Sequence, residues 1–231
     1  MELHFKKAFD TLGPSLLDGV GVVIYVTIVG FILALIVALL LAIGRLSKSK
    51  ILGRILSIFI EFIRGTPLLV QFFYIYYVMP MLINGIGEWM GFDTNIQLQA
   101  TTCGIIGFAI NYGCYMSEVI RAAILSIDTG QREAGLALGF SEKMVMLHFI
   151  IPPALRNSVP VFGNYLVMMI KDTSLLAMIS VQELLLRTKT FASQTFLTVE
   201  AYTILALVYL IISLPLSHLS KVIERRLNQV K

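Results

Sequence analysis

Acidic, basic and amide side chains recur at helical spacing inside stretches that are otherwise apolar enough for lipid, and these are the groups with chemical potential in this chain. Glu61, Arg64 and Gln71 fall at i, i+3 and i+10 of one stretch; Asn111, Tyr115 and Glu118 fall at i, i+4 and i+7 of a second. Asn157, Asn164 and Lys171 recur at steps of seven in a third, where Asp172, Thr173 and Ser174 adjoin. An ionised group at membrane depth is costly unless it faces a bundle interior, a wet cavity or an opposite charge. Glu61 and Arg64, one turn apart near a span end, read as a structural ion pair. Lys171 and Asp172 sit deeper, about seventeen residues into their stretch; with Thr173, Ser174, Asn164 and Gln71 they form the candidate polar path. Asn111, Tyr115 and Glu118 read as helix-to-helix hydrogen bonding, and Met168, Met169 and Met178 as adaptable packing.

Other chemistries find no support. No Ser/His or paired-Asp arrangement emerges at helical spacing, so no catalytic residue is expected. His4, His148 and His218 share no ligand spacing, which argues against a metal site, and no Gly-x-x-x-x-Gly-Lys loop is present to bind a nucleotide. Cys103 and Cys114 are separated by roughly 16 Å along one helix, beyond the ~7 Å reach of a disulfide.

The elements that must carry these groups follow from composition. The chain is 57% hydrophobic and only 14% charged over 231 residues, with mean hydropathy +0.84, which marks an all-α integral membrane protein of one domain. Five spans are expected, at about 20–44, 55–79, 96–124, 154–179 and 201–219. The run free of charge from Gly19 to Gly44, about 26 residues, exceeds the apolar core of a cleaved signal, so it spans and stays. Residues 1–18, with Glu2, Lys6, Lys7, Asp10 and Asp18, read as an amphipathic lead-in on the membrane surface.

Orientation follows from the basic residues. Arg45, Lys48, Lys50 and Arg54 in the first link, Arg132, Lys143 and Arg156 in the third, and Lys221, Arg225, Arg226 and Lys231 in the tail place these segments in the cytoplasm. The N-terminus is then outside and the C-terminus inside. Pro80–Asn95, where Trp89 offers an interface anchor, and Glu183–Glu200 read as external. The net charge of +4 belongs to membrane flanks and forms no nucleic-acid face.

Between spans 3 and 4 lies a loop at 129–152 whose apolar centre, Ala134 to Phe140, falls far short of the ~20 residues needed to cross a bilayer. Gly139 suits a left-handed helix cap, Ser141 suits the cap of a second helix, and Pro152-Pro153 is expected to stop that helix. The result is a short cytoplasmic helix pair. Its apolar surface requires a cover, either a separate protein or its own chain in a re-entrant or surface-lying hairpin.

Several stretches together resemble the permease subunits of bacterial ATP-binding-cassette importers, in their polar-amino-acid branch of histidine, glutamine, arginine and cystine type. They are EFIRGTPLLVQ (Glu61 to Gln71), SEVIRAAI (Ser117 to Ile124), the run into GQREAG, and KDTSLL (Lys171 to Leu176). The family's cytoplasmic-loop pattern is matched at Glu133, Ala134, Gly139 and Pro152; Gly135 replaces its second Ala, Phe149 its Ile and Ile151 its Leu. The resemblance implies a multi-pass protein of the bacterial cell membrane that forms a translocation path for a polar amino acid and is coupled to a separate ATPase. It implies no cofactor in this chain, since ATP and Mg belong to the ATPase. Expected partners are ATPase subunits, an extracellular or periplasmic substrate-binding protein, a second permease copy or related permease, and membrane lipid. The loop would be the ATPase-coupling element, Glu133 fixing it, Ala134, Gly135 and Gly139 permitting close approach and Phe140 anchoring it. For a zwitterion, Asp172 would accept the ammonium while Lys171, Thr173 or Ser174 served the carboxylate. The competing readings are a proton-coupled secondary transporter and a non-transporting scaffold.

Overall fold

Gly30, Ala34, Ala38 and Ala42 repeat every fourth residue along the first helix, so their small side chains stack into one seam. A computed structural model describes residues 3–47 and 49–228; Glu2, Lys48 and Lys231 of the expected lead-in, link and tail lie outside them. Eight helical elements follow one another: α1 (Phe5–Arg45), α2 (Lys50–Arg64), α3 (Leu68–Trp89), α4 (Ala100–Leu125), α5 (Thr129–Ala137), α6 (Glu142–Ile179), α7 (Leu184–Thr195) and α8 (Thr198–Asn228). Among the described residues α1, α3, α4, α6 and α8 are each long and apolar enough to cross a membrane.

The α1 seam lies against α4, the most deeply buried of the five. A Cβ on Gly30 would sit 3.3 Å from the Phe108 Cβ, and one on Gly113 only 2.6 Å from Val37, so the two backbones approach as closely as small residues allow. Around α4 the principal core gathers Phe72, Phe108, Tyr112, Met116, Met169 and Leu176. A second cluster joins the start of α1 (Ala8, Leu12, Leu16) to α7 and α8 (Leu184, Phe191, Ala201, Ile204).

Several expected boundaries move. The lead-in is not a separate surface helix: α1 runs unbroken from Phe5, because Ala8, Leu12 and Leu16 form a buried stripe that α7 and α8 cover. The stretch at 55–79 is broken in two at Gly65-Thr66-Pro67, where Pro67 removes an N–H and turns the chain extended. Below the break α2 packs Ile60 and Ile63 against Cys114 of α4; above it α3 lays Phe72 beside Gly107 of the same helix and continues to Trp89. Pro80–Trp89 is therefore helix, not loop.

Pro152-Pro153 does not end a helix. A π-helical turn at Met146–Ile150 precedes them, Ile151 N–H bonds Met146 O five residues back, and the two prolines then occupy the first turn of the next segment, where no N–H is required. The chain thus runs helically from Glu142 to Ile179. The segment expected as an external link holds α7, and its acids are buried: Glu183 caps α7 by accepting from Leu185 and Leu186 N–H at 2.8 and 2.7 Å, and accepts from the Tyr209 hydroxyl at 3.1 Å. Burial pushes the Glu183 carboxyl pKa above its ordinary value, against the lowering by those donors. Glu200 accepts from His4 N–H at 2.9 Å and ties the start of α1 to α8.

Candidate functional site

Two regions hold the expected functional residues. The first is the pair formed by α5 and the start of α6. Asp128 caps α5 through Gly130 N–H at 2.7 Å, and Ser141 caps the next helix through Met144 N–H at 3.3 Å. Gly139 adopts φ +83°, with Gly139 N–H bonded to Leu136 O and Phe140 N–H to Gly135 O, the double bond of a Schellman turn. Arg132 and Glu142 join the two helices at 3.0 Å.

This pair has an inner and an outer face. Gly135 is buried, its missing Cβ allowing Val145 to within 2.8 Å of that position, and Phe140 stacks on Phe149 at 5.3 Å between ring centres. Both therefore take part in their own chain's packing, with Phe140 left half-buried. Glu133, Ala134 and Gly139 are exposed, and so is Leu138 at 76%. Leu138 belongs to the apolar centre expected of the loop, and its position just before Gly139 places it at the tip of the turn.

The second region is a cleft of about 430 Å³ lined by Arg64, Thr66, Asn111, Tyr112, Tyr115, Tyr165, Met168 and Asp172, among others. The break between α2 and α3 opens its wall and is closed from behind by Gln71. The Gln71 Nε2 donates to Ile63 O at 2.7 Å and to Thr66 Oγ1 at 2.9 Å, while Oε1 accepts from Asn111 Nδ2 at 3.0 Å. Tyr112 donates its hydroxyl to Asp172 at 2.7 Å, and Tyr115 donates to Arg64 O at 3.2 Å while its ring lies under the Arg64 guanidinium at 5.1 Å.

Of the candidate path residues only Asp172 lines this cleft. Gln71 supports it from behind. Thr173 and Ser174 are occupied elsewhere, their hydroxyls donating to Ile170 O and Lys171 O to cap the tight turn after α6's regular part. Asn164 and Lys171 are exposed and do not line it. The expected Glu61–Arg64 pair does not form: among the described residues Glu61 makes no ion pair, and Arg64 instead stands 4.0 Å from Glu118. Tyr112 and Tyr165 were the cleft residues that spacing within one helix does not single out, because each meets its neighbours across helices.

The relatives fit this architecture. Residues 22–229 match the family described as the binding-protein-dependent transport system inner membrane component. The glutamine transport system permease protein GlnP of Escherichia coli K12 is 36% identical over 93% of this chain and 94% of its own length. The L-cystine transport system permease protein TcyB of Bacillus subtilis is 37% identical over 94% and 88% respectively. A crystal structure of an amino acid ABC transporter with histidines superposes with a TM-score of 0.84 at 31% identity, over 98% of this chain and 100% of that one. The inward-facing MetNI methionine ABC transporter, at 15% identity and a TM-score of 0.61, shares the fold. The chain is a multi-pass membrane protein that belongs to the binding-protein-dependent transport system inner membrane component family.

Proposed function

We propose that this chain is the permease subunit of an ATP-driven importer for polar amino acids, with α5 and its turn docked on a cytosolic ATPase and the cleft beside Asp172 serving the translocated molecule. The observation that carries this reading is the α5 turn itself: Leu138, Ala134 and Glu133 point outward from a pair that Gly135, Val145, Phe140 and Phe149 brace from within. An exposed leucine on a rigid mount is what a protein groove recognises. The relatives' names supply the substrate class, and family membership favours this reading over a proton-coupled carrier or a scaffold.

In the cleft, Asp172 would accept the substrate ammonium and Arg64, rather than Lys171, would meet its carboxylate; Tyr115 and Tyr165 would flank the carbon skeleton. Asn164 and Lys171 would face a second permease copy across the path. No covalent chemistry is assigned to this chain. ATP and Mg would be held by the ATPase, and a binding protein would deliver substrate at the far end, near α7. The loop end would then be cytoplasmic.

The test is reconstitution in liposomes with the ATPase and binding protein, measuring uptake of labelled amino acids. ATP-dependent uptake that survives collapse of the proton gradient, and that disappears when residues 133–140 are replaced by a Gly/Ser linker, is the expected result. Uptake by the chain alone, or uptake indifferent to the linker, sinks the proposal.

A further inference from the structure

One carboxylate on α4 is approached by three guanidinium groups. Glu118 pairs through Oε1 with Arg45, the last residue of α1, and through Oε2 with Arg121, one turn along α4, at 3.1 Å. Arg64, the last residue of α2, stands 4.0 Å from Oε1. A carboxylate brings one charge and two oxygens, and Arg45 and Arg121 each already hold one of them. Arg64 is thus the weakest held of the three, and at 40% it is also the most exposed, against 16% for Arg45 and 34% for Arg121. Its guanidinium lies over Tyr115 and lines the cleft that contains Asp172.

Counted with Asp172 of the same cleft, three positive charges meet two negative ones, which leaves one in excess. A structural lock needs no such excess, and an unneutralised cation within the bundle favours an incoming anion. We propose that Glu118 is a positioning residue that sets how far Arg64 reaches into the cleft: Arg64 leaves Glu118 for the carboxylate of an amino acid and returns when that group departs. This rests on reading the cleft as the amino-acid site. Arg45 and Arg121 keep Glu118 neutralised throughout, so the exchange never strands a buried carboxylate. Glu118 and Arg121 lie near the end of α4, and only Ser126, Ile127 and Asp128 separate that helix from α5. Occupancy of the cleft is therefore registered on the helix that leads into the docking turn.

The test uses the transporter assembled with its ATPase in detergent, without the binding protein, equilibrated with a mixture of ¹⁴C-labelled proteinogenic amino acids and L-cystine. Retained label is compared for the wild type, Glu118→Gln, Glu118→Asp, Arg64→Gln and the double variant Glu118→Gln/Arg64→Gln. Removing the competitor for Arg64 raises apparent affinity by about ten-fold in Glu118→Gln and slows release. Glu118→Asp, which withdraws the carboxylate by one methylene while keeping charge for Arg45 and Arg121, moves in the same direction by a smaller factor. It also covers the case in which Glu118→Gln does not assemble. Arg64→Gln loses retention, and the double variant matches Arg64→Gln alone. A purely structural Glu118 would instead weaken retention; unchanged or weakened retention in the Glu118 variants, with Arg64→Gln still defective, overturns the positioning role and leaves the cleft reading intact. Retention untouched by Arg64→Gln, or no retention by the wild type, overturns both.

Discussion

The docking turn and the cleft use polar groups in opposite ways. In the turn the caps and the bridge between its two helices are short in sequence: Asp128 to Gly130, Ser141 to Met144, Arg132 to Glu142 ten residues on. Around the cleft several join distant elements, with Asn111 and Gln71 40 residues apart, Tyr112 and Asp172 60, and Arg45 and Glu118 73. A turn capped by local bonds and seated on the principal core through Val145 leaves its outer side chains free to serve a partner. Cleft residues hold the bundle together and, in the proposed function, would meet the solute with the same atoms. Changes at the turn should therefore separate function from stability, and changes in the cleft should not.

The sharpest way to break this contrast is Leu138→Glu. It removes an exposed apolar tip without touching Gly135, Val145 or the caps, so ATPase docking should weaken by about 2 kcal/mol or more, while the thermal midpoint of the isolated permease stays put. Co-purification with the ATPase and a melting curve on the same sample decide it; a lowered midpoint would mean the turn is not independent. Gln71→Leu should show the opposite behaviour. It orphans the Asn111 amide, at a cost of about 1–3 kcal/mol in stability, and uptake should fall with it; a stable variant with lost transport would mark Gln71 as a direct contact. The smallest effect sharpens the far end. Glu183 carries a raised pKa, so its contribution to stability is full below the ordinary carboxylate value and is lost as pH rises through the raised one. Glu183→Gln should flatten that part of the melting-temperature profile, and an unaltered profile would assign the pH dependence to other groups.

What could be read from residue order follows the same division. Gly139 and Ser141 announce their caps because a left-handed turn and an N-cap are decided by residues within a few positions. Asp172 was legible as a polar group at depth, but its partner Tyr112 lies on another helix and no spacing rule links them. Arg64 was misassigned because Glu61, one turn away, offers a local pair, whereas its contacts in the fold, the Tyr115 ring and Glu118 at 4.0 Å, lie on another helix. Pro152-Pro153 was read as a stop because composition does not reveal a π turn, which re-registers the carbonyls before the prolines arrive. The Ala8, Leu12 and Leu16 stripe was visible, but Lys6, Lys7 and Asp10 between its members drew attention to the charged side instead.

The seam of Gly30, Ala34, Ala38 and Ala42 against α4 sets a limit on how the molecule can work. With Gly30 seated against Phe108 and Gly113 against Val37, the contact is too tight for sliding, so α1 and α4 travel as one keel. Any alternation of access has to be performed by the timbers around it, the broken α2 and α3 on one flank and α6 with α8 on the other.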